Sequence, residues 1–557
     1  MKKVLLLLVF AFASIFLAEA QTTYYVSTDV TSNDANAGTS WLTAFRTVQK
    51  ALSVATNGDE IWVAAGVYYP DEGLSVLPSD PRDATFQLKS GVKLYGGFAG
   101  SEAPTFDLSL RNFVINETIL SGDIDQDGPQ QPVVNNPLGD TDYFSNVYHV
   151  VTSLNVDNTA TFDGFTITAG SAWGVFNPQP DLIGAGMYNN GSSLVISNCK
   201  FAGNYAQGSG GGMYNDNSPL TIMNCTFINN NTSGGGGQQF GAAIYNRSST
   251  VPITDCSFLN NVAEGAGAIT YDDSGSPTIT RCTFTNNEAT ITSGGAVFNF
   301  TTTAKFVECI FSGNKATSSN GGAVNVSDAT TFEECMFSNN TADRNGGAIF
   351  YGSSSSTLME FIDCEFTENK AGEDGGGIAM FGGSVTITDC MFTGNESMTR
   401  SGGGIFSDSN SSLEVTGSTF SQNEAAANGG GISSNQNTAL GNQPTVTNCT
   451  FSMNDAFGGG GGIVSFNENN PSILNCSFFG NEASGGGAFS NSSSSPNIIN
   501  CIFSGNNGTN SGGAISNSNS SPNIINCSIT GNKSIFGGGF ENRNNSSPII
   551  TNCIVWN

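Results

Sequence analysis

The sequence predicts an all-β chain wound as a single-stranded right-handed parallel β-helix, a solenoid with three strands in each coil of about 26 residues and an amphipathic helix capping its N-terminal end. Three observations predict it. Thirteen cysteines recur from Cys199 to Cys553 at intervals of 25 to 31 residues, and the one gap of 59 is divided by Ser418 in a matching context, which makes fourteen equivalent positions. Three residues before each position stands an apolar side chain, from Ile196 to Ile550, and two residues after it stands Phe in twelve of the fourteen units, from Phe201 to Phe503. Three residues further on comes Asn, from Asn204 to Asn532, then a small residue such as Ala316 or Ala342, and then a Gly-rich strand such as Gly346-Gly347-Ala348-Ile349.

The first twenty residues stand apart from this pattern. Lys2 and Lys3 precede the apolar run Val4 to Leu17, and Ala18-Glu19-Ala20 comes before Gln21, the layout of a cleaved secretory peptide. A fourteen-residue run is shorter than the roughly 20 residues that cross a bilayer. The chain therefore divides into a signal peptide at 1–20, a cap with entry coils at 21–150, and a repeat domain at 151–557. In the cap, Trp41, Phe45, Val48, Leu52 and Ala55 follow helical spacing, with Ser40 as N-cap and Asn57-Gly58 as the stop. Such a helix covers the open apolar end of a stack of coils.

Within a coil, the phase of the pattern dictates the bends. Side chains alternate along a strand, so two inward residues three apart require a turn between them. The residue before each cysteine is of a type that tolerates left-handed backbone, as in Asn198, Asp255 and Gly417, with only Arg281, Glu308 and Glu334 departing. The recurring Asn marks a second corner. Segments of variable length, including Tyr351 to Leu358 and Ser433 to Pro444, are expected to project as loops from one edge.

Stacking makes the repeat energetically sensible. At about 4.8 Å per coil, fourteen coils make a rod of roughly 65 Å. The Phe column alone contributes on the order of 20 to 30 kcal/mol before chain entropy. Stacked cysteines sit farther apart than the roughly 3.8 Å between Cβ atoms that a disulfide needs, so a buried thiol ladder is expected in place of bridges.

Specific motifs carry a resemblance. Tyr24-Tyr25-Val26, Gly58-Asp59-Glu60-Ile61, Gly91-Val92-Lys93-Leu94-Tyr95-Gly96-Gly97-Phe98 and Asp163-Gly164-Phe165-Thr166-Ile167 resemble the entrance of pectin-lyase-like β-helix proteins. The alternation of Gly-Gly-Ala-Ile with Phe-x-x-Asn is similar to the repeats of chlamydial polymorphic outer membrane proteins. That resemblance covers nearly the whole mature chain and implies a surface-exposed passenger, often an adhesin. The family's C-terminal barrel is not found and the sequence stops at Asn557 within a coil, so the reading is of an incomplete chain whose outer-membrane association lies in a part not included.

Chemistry is sparse. A net charge of −28 repels phosphate backbones, which excludes nucleic acid as a partner, and with charged residues at only 11% the acidity reads as a solubilising surface and not a cation store. No Cys-x-x-Cys pair exists and His149 is the only histidine, in the strand-like run Val147 to Val151, so it is expected to be structural. Asp272-Asp273 is the one adjacent Asp pair of the repeats and reads as a solvated loop pair for want of a second convergent group. Asp123-x-Asp125-x-Asp127-Gly128 has the opening spacing of a calcium loop, although Val134 stands where a bidentate Glu belongs, so structural calcium is the one metal the sequence suggests. The outward position after each cysteine, for example Lys200, Thr226, Ile310 and Glu365, is too mixed for an ice-binding lattice. The expectation is a secreted or outer-membrane-associated surface protein, an adhesin or scaffold that binds an extracellular glycan or protein through edge loops, with no catalytic residue and no required cofactor. A polysaccharide lyase or glycoside hydrolase of the same fold is the alternative.

Overall fold

The structure is a computed structural model that describes residues 21–126, 145–174, 179–234, 239–273, 275–292, 294–299, 303–353, 357–408, 411–435, 443–467 and 469–556. Its chain winds through parallel sheets whose strands pair coil on coil. In one typical coil the strands are Ala304–Val307, Ile310–Ser312, Lys315–Ala316 and Val324–Val326. Each pairs in parallel with its counterpart one coil on, and Phe306 faces Phe332, Phe311 faces Phe337, Ala316 faces Ala342 and Val324 faces Ile349. The stack that holds the strand before each cysteine runs to 18 strands, from Thr23–Val26 to Ile549–Thr551, a rod of roughly 80 Å at about 4.8 Å per rung.

The coil thus has four strands and not three. The additional strand is the short one after the ladder Asn, and it forms a 14-stranded sheet of its own. With two residues in most coils it is too brief to show alternation in sequence. The strand runs against the Gly-rich backbone, where a Cβ on Gly322 would lie 2.6 Å from the Thr341 nitrogen, and its inward residues Ala316, Ala342 and Ala371 are fully buried outside the main core.

The corner before each cysteine is left-handed throughout, including at the three residues of unexpected type: Arg281, Glu308 and Glu334 have φ of 49°, 53° and 53°, beside 52° for Asn198. Position overrides residue preference here, because the ladder bonds on either side need the turn. At the second corner the left-handed residue is the one before the recurring Asn, as at Asn229 (54°), Asn339 (56°) and Met453 (55°). The recurring Asn itself points inward and is fully buried. From Asn230 to Asn506 it forms a ladder in which each Nδ2 donates to the Oδ1 of the next coil and to the carbonyl of a Phe in the coil before, as when Asn230 donates to Asn261 at 3.0 Å and to Phe201 at 2.9 Å.

The inward columns are regular. From Phe201 to Phe503 successive rings stack with centroids 4.6 to 5.1 Å apart and planes within 2 to 8°. All thirteen cysteines are free, and twelve are buried, with Cys553 partly exposed. The Cys335 thiol donates to the carbonyl of Glu333 at 3.3 Å and lies 3.5 Å from that of Phe306. Ser418 takes the same place, bonded to the Thr416 carbonyl at 3.0 Å. Burial pushes the thiols of Cys225 and Cys335 well above their ordinary value. Because twelve of the thirteen are buried away from any reagent, thiol titration is expected to find at most one reactive group in the folded protein, Cys553, and all thirteen after denaturation.

The N-terminal cap differs from the single helix expected. Ser40 caps only a 3-10 turn, Trp41–Thr43, while Thr47 caps the true helix, Val48–Val54, by accepting from the Lys50 amide. Phe45 lies between them in extended backbone, bridged to Val26, and its amide donates to the Tyr25 carbonyl at 2.9 Å. That strand-like bond breaks the helical register. Val48, Ala51 and Leu52 still close the first coil, packed into the main core. Trp41 turns outward into a separate cluster with Tyr25, Trp62 and Phe98. Arg111 docks the following loop onto this cluster, its guanidinium 5.0 Å from Tyr95 and 5.1 Å from Phe113, and ion-paired to Asp163 at 2.7 Å.

Candidate functional site

The short sheet changes character late in the chain. Its strands lengthen from two residues to Asp455–Gly459, Glu482–Gly485 and Asn507–Ser511. Only here, among the described residues of that sheet, does the pairing shift register, after Ala456 and again after Ala483. Such irregularities re-aim side chains. The widened shelf carries a groove of about 430 Å³ lined by Glu424, Asp455, Phe457, Glu482, Ser484, Thr509 and Asn510, among others.

Alternation along the strand explains how the groove is built. Asp455 and Phe457 are two residues apart and share the outer face, while Ala456 between them points inward. Glu482 and Ser484 repeat the arrangement one rung on. Two outer columns result, one of carboxylates and one of Ala426, Phe457, Ser484 and Thr509. The neighbours of Phe457 in its column are small, so its ring is left 84% exposed.

The carboxylate column is charged without compensation. Glu396, Glu424, Asp455 and Glu482 face one another in consecutive rungs. Lys370 pairs with Glu396 at 2.7 Å, and further up the same column Lys315 pairs with Glu288 at 3.5 Å. Among the described residues Glu424, Asp455 and Glu482 have no such ion pair. Like charges directly opposite one another across a sheet are destabilising, so the column holds its charge at a cost to the fold. Carboxylates also stack at the exposed corners Glu308, Glu334, Asp363 and Asp389, but there, among the described residues, no aromatic ring lies beside them in a groove.

The candidates read from sequence lie elsewhere. Asp123 is buried and close enough to Tyr69 that, after burial itself, its carboxylate raises the Tyr69 hydroxyl. Asp125 is exposed, and Asp127 lies outside the described residues. Among the described residues no group of three His, Cys, Asp or Glu side chains could hold a metal ion. The Nδ1 of His149 lies 3.1 Å from the Gly184 carbonyl, its ring stacks on Tyr188 at 5.2 Å, and burial lowers its pKa to about 4. It is neutral and held in place. Asp272 accepts from the Tyr245 hydroxyl at 2.7 Å, at the end of the stack Tyr188, Tyr214, Tyr245. Asp273 turns away at a left-handed corner, and the nearest acidic residue in the Asp272 column, Asp216, is two rungs off with Arg247 between. The Tyr rings cover one another's faces and so present only edges outward. The loops expected at 351–358 and 433–444 fall partly outside the described residues.

None of the groove residues was singled out from the sequence. The signal was the residue between each ladder Asn and the small residue after it, read down the repeats: Glu396, Glu424, Asp455, Glu482, with Phe457 two further on.

A family model described as "right handed beta helix region" matches residues 144–311, 294–482 and 376–555. No curated protein matches the sequence. Among solved structures the chain is similar to a rhamnogalacturonan lyase, at 12% identity over 78% of this chain and 82% of that one with a TM-score of 0.22. It is also similar to the A-module of a mannuronan C-5 epimerase from Azotobacter vinelandii, at 12% identity over 88% and 92% with a TM-score of 0.24. Neither likeness bears on the chemistry of the groove.

Proposed function

The chain belongs to the right-handed β-helix region family, and on that footing we propose that it is a secreted or outer-membrane-associated rod, an adhesin or scaffold that holds an extracellular glycan in the Phe457 groove. One observation carries the reading: a bare aromatic face on a shelf where the coil geometry departs from its repeat. Exposed apolar side chains occur elsewhere on the chain, as at Val114 and Leu42, and what sets Phe457 apart is that its ring lines a groove beside carboxylates. An open ring face beside carboxylate and amide groups suits a sugar, which offers a C–H face and hydroxyls together. The resemblance of the repeats to those of chlamydial polymorphic outer membrane proteins, and the resemblance of residues 1–20 to a secretory peptide, support display at the cell surface.

Catalysis has less support. A glycosidase needs one carboxylic acid kept protonated by burial, and Glu424, Asp455 and Glu482 are all exposed. The test is a glycan panel applied to purified residues 21–557. The rod is expected to retain at least one glycan without releasing sugar ends, and Phe457→Ala to weaken binding about tenfold with the melting temperature unchanged. Binding that is indifferent to Phe457→Ala, or steady release of reducing or unsaturated ends, would overturn the reading.

A further inference from the structure

We propose that the glycan held in this groove is a linear polycation of amino sugars, a glucosamine-type chain lying along the axis of the rod; this rests on the glycan-binding reading above and narrows it. The groove itself is the starting point: about 430 Å³ of open shelf with the Phe457 ring on one side and Glu424, Asp455 and Glu482 along the other. The three carboxylates occupy consecutive rungs, so they repeat every 4.8 Å or so in the direction of the stack. A polymer with one ammonium per sugar, laid parallel to the stack, carries cations along the whole length of the carboxylate column.

Charge complementarity separates this class from other glycans. Further up the same column the outer residues run Glu288, Lys315, Thr341, Lys370, Glu396, and the chain neutralises itself through Lys315–Glu288 and Lys370–Glu396. Beyond Glu396 there is no lysine until Lys533. A uronate polymer would meet repulsion from the groove and from a net charge of −28. A neutral polymer would leave the three carboxylates uncompensated. A cationic one removes their mutual repulsion, and an ammonium near the Phe457 face gains a cation–π contact as well. At the far end of the groove Thr509 and the side-chain oxygen of Asn510, whose Nδ2 donates to Ser484 at 3.0 Å, stand ready to bond sugar hydroxyls.

Calorimetric titration of residues 21–557 with glucosamine oligomers, their N-acetylated equivalents of the same length, and oligogalacturonate tests the proposal. Glucosamine oligomers are expected to bind, more weakly as salt rises. The N-acetylated oligomers should bind at least tenfold more weakly and the galacturonate not at all. The triple variant Glu424→Gln, Asp455→Asn, Glu482→Gln should lose at least tenfold for glucosamine oligomers, and Phe457→Ala about tenfold. Equal binding of N-acetylated oligomers that is still sensitive to Phe457→Ala would overturn the cationic class and leave the glycan-binding groove standing. Glucosamine binding that survives the triple variant would reveal diffuse attraction by the whole acidic chain and overturn the proposal too. Absence of binding by every oligomer would overturn the cationic class, and the glycan panel then decides the wider reading.

Discussion

Replacing Asn340 by Ala is expected to destabilise the middle of the rod by at least about 3 kcal/mol, more than any exposed substitution in the same coil. Its side chain donates to the Phe311 carbonyl at 3.0 Å and to Asn369 Oδ1 at 2.9 Å, and accepts from the Asn314 backbone and side-chain nitrogens, each at 3.0 Å. All of these groups are buried. Truncation strands them at about 1 to 3 kcal/mol each, less whatever relaxation recovers. Coils contact only their neighbours, so the damage should be local. Hydrogen exchange is expected to accelerate in the coils spanning 311–369 while those near Phe201 and Phe503 keep their protection. Asn339→Gly is the control, because that residue is exposed at φ 56° and glycine adopts this conformation without strain. Similar behaviour of the two variants would mean that the ladder does not hold the coils together.

Arg111→Ala is expected to cost about 3 to 5 kcal/mol in the entry coils, because it orphans the buried charge of Asp163. The Arg111 and Asp163 side chains are only 5% and 9% exposed. The guanidinium also donates to the carbonyls of Leu108 at 2.8 Å and Gly96 at 3.0 Å, which fastens the loop over the outer aromatic cluster. Trp62 stacks on Phe98 at 4.7 Å within that cluster, so tryptophan emission reports the loosening. Adding Asp163→Asn to Arg111→Ala should recover part of the loss, since it removes the stranded charge and keeps a partner for Ser197 and Asn198, which bond the carboxylate at 2.5 and 2.8 Å. If the double variant is no more stable than Arg111→Ala, the cost lies in lost ring contacts and not in the charge.

The inward face of the coil was legible in the sequence because every coil repeats it. Cysteine, Phe and Asn recur in fixed phase, and Ser418 was recognised as a member of the cysteine column by its context alone. Features that break the period were not legible. The strand Lys315–Ala316 is two residues long, below the length at which alternation becomes a signal. The cap read as one helix because the apolar spacing of Trp41, Phe45 and Val48 suits a helix, whereas the bond from the Phe45 amide to the Tyr25 carbonyl is a tertiary choice that spacing does not encode. Phe457 sits among aromatic residues that mostly point inward, and its outward face follows only once Asp455–Gly459 is known to be a strand longer than its two-residue counterparts. His149 was read as structural, and its bond to Gly184 explains why; Asp272, read as half of a solvated loop pair, instead ends the strand Ile269–Asp272 and accepts from Tyr245.

Phe337 meets Phe366 at 4.8 Å just as it meets Phe311, also at 4.8 Å. In the Phe column neighbouring coils are therefore interchangeable as partners, and an unequal recombination that removes or duplicates a whole coil leaves that column matched. Reach becomes a heritable quantity that changes in single steps, while a ligand shelf confined to a few coils rides unchanged toward or away from the end of the shaft.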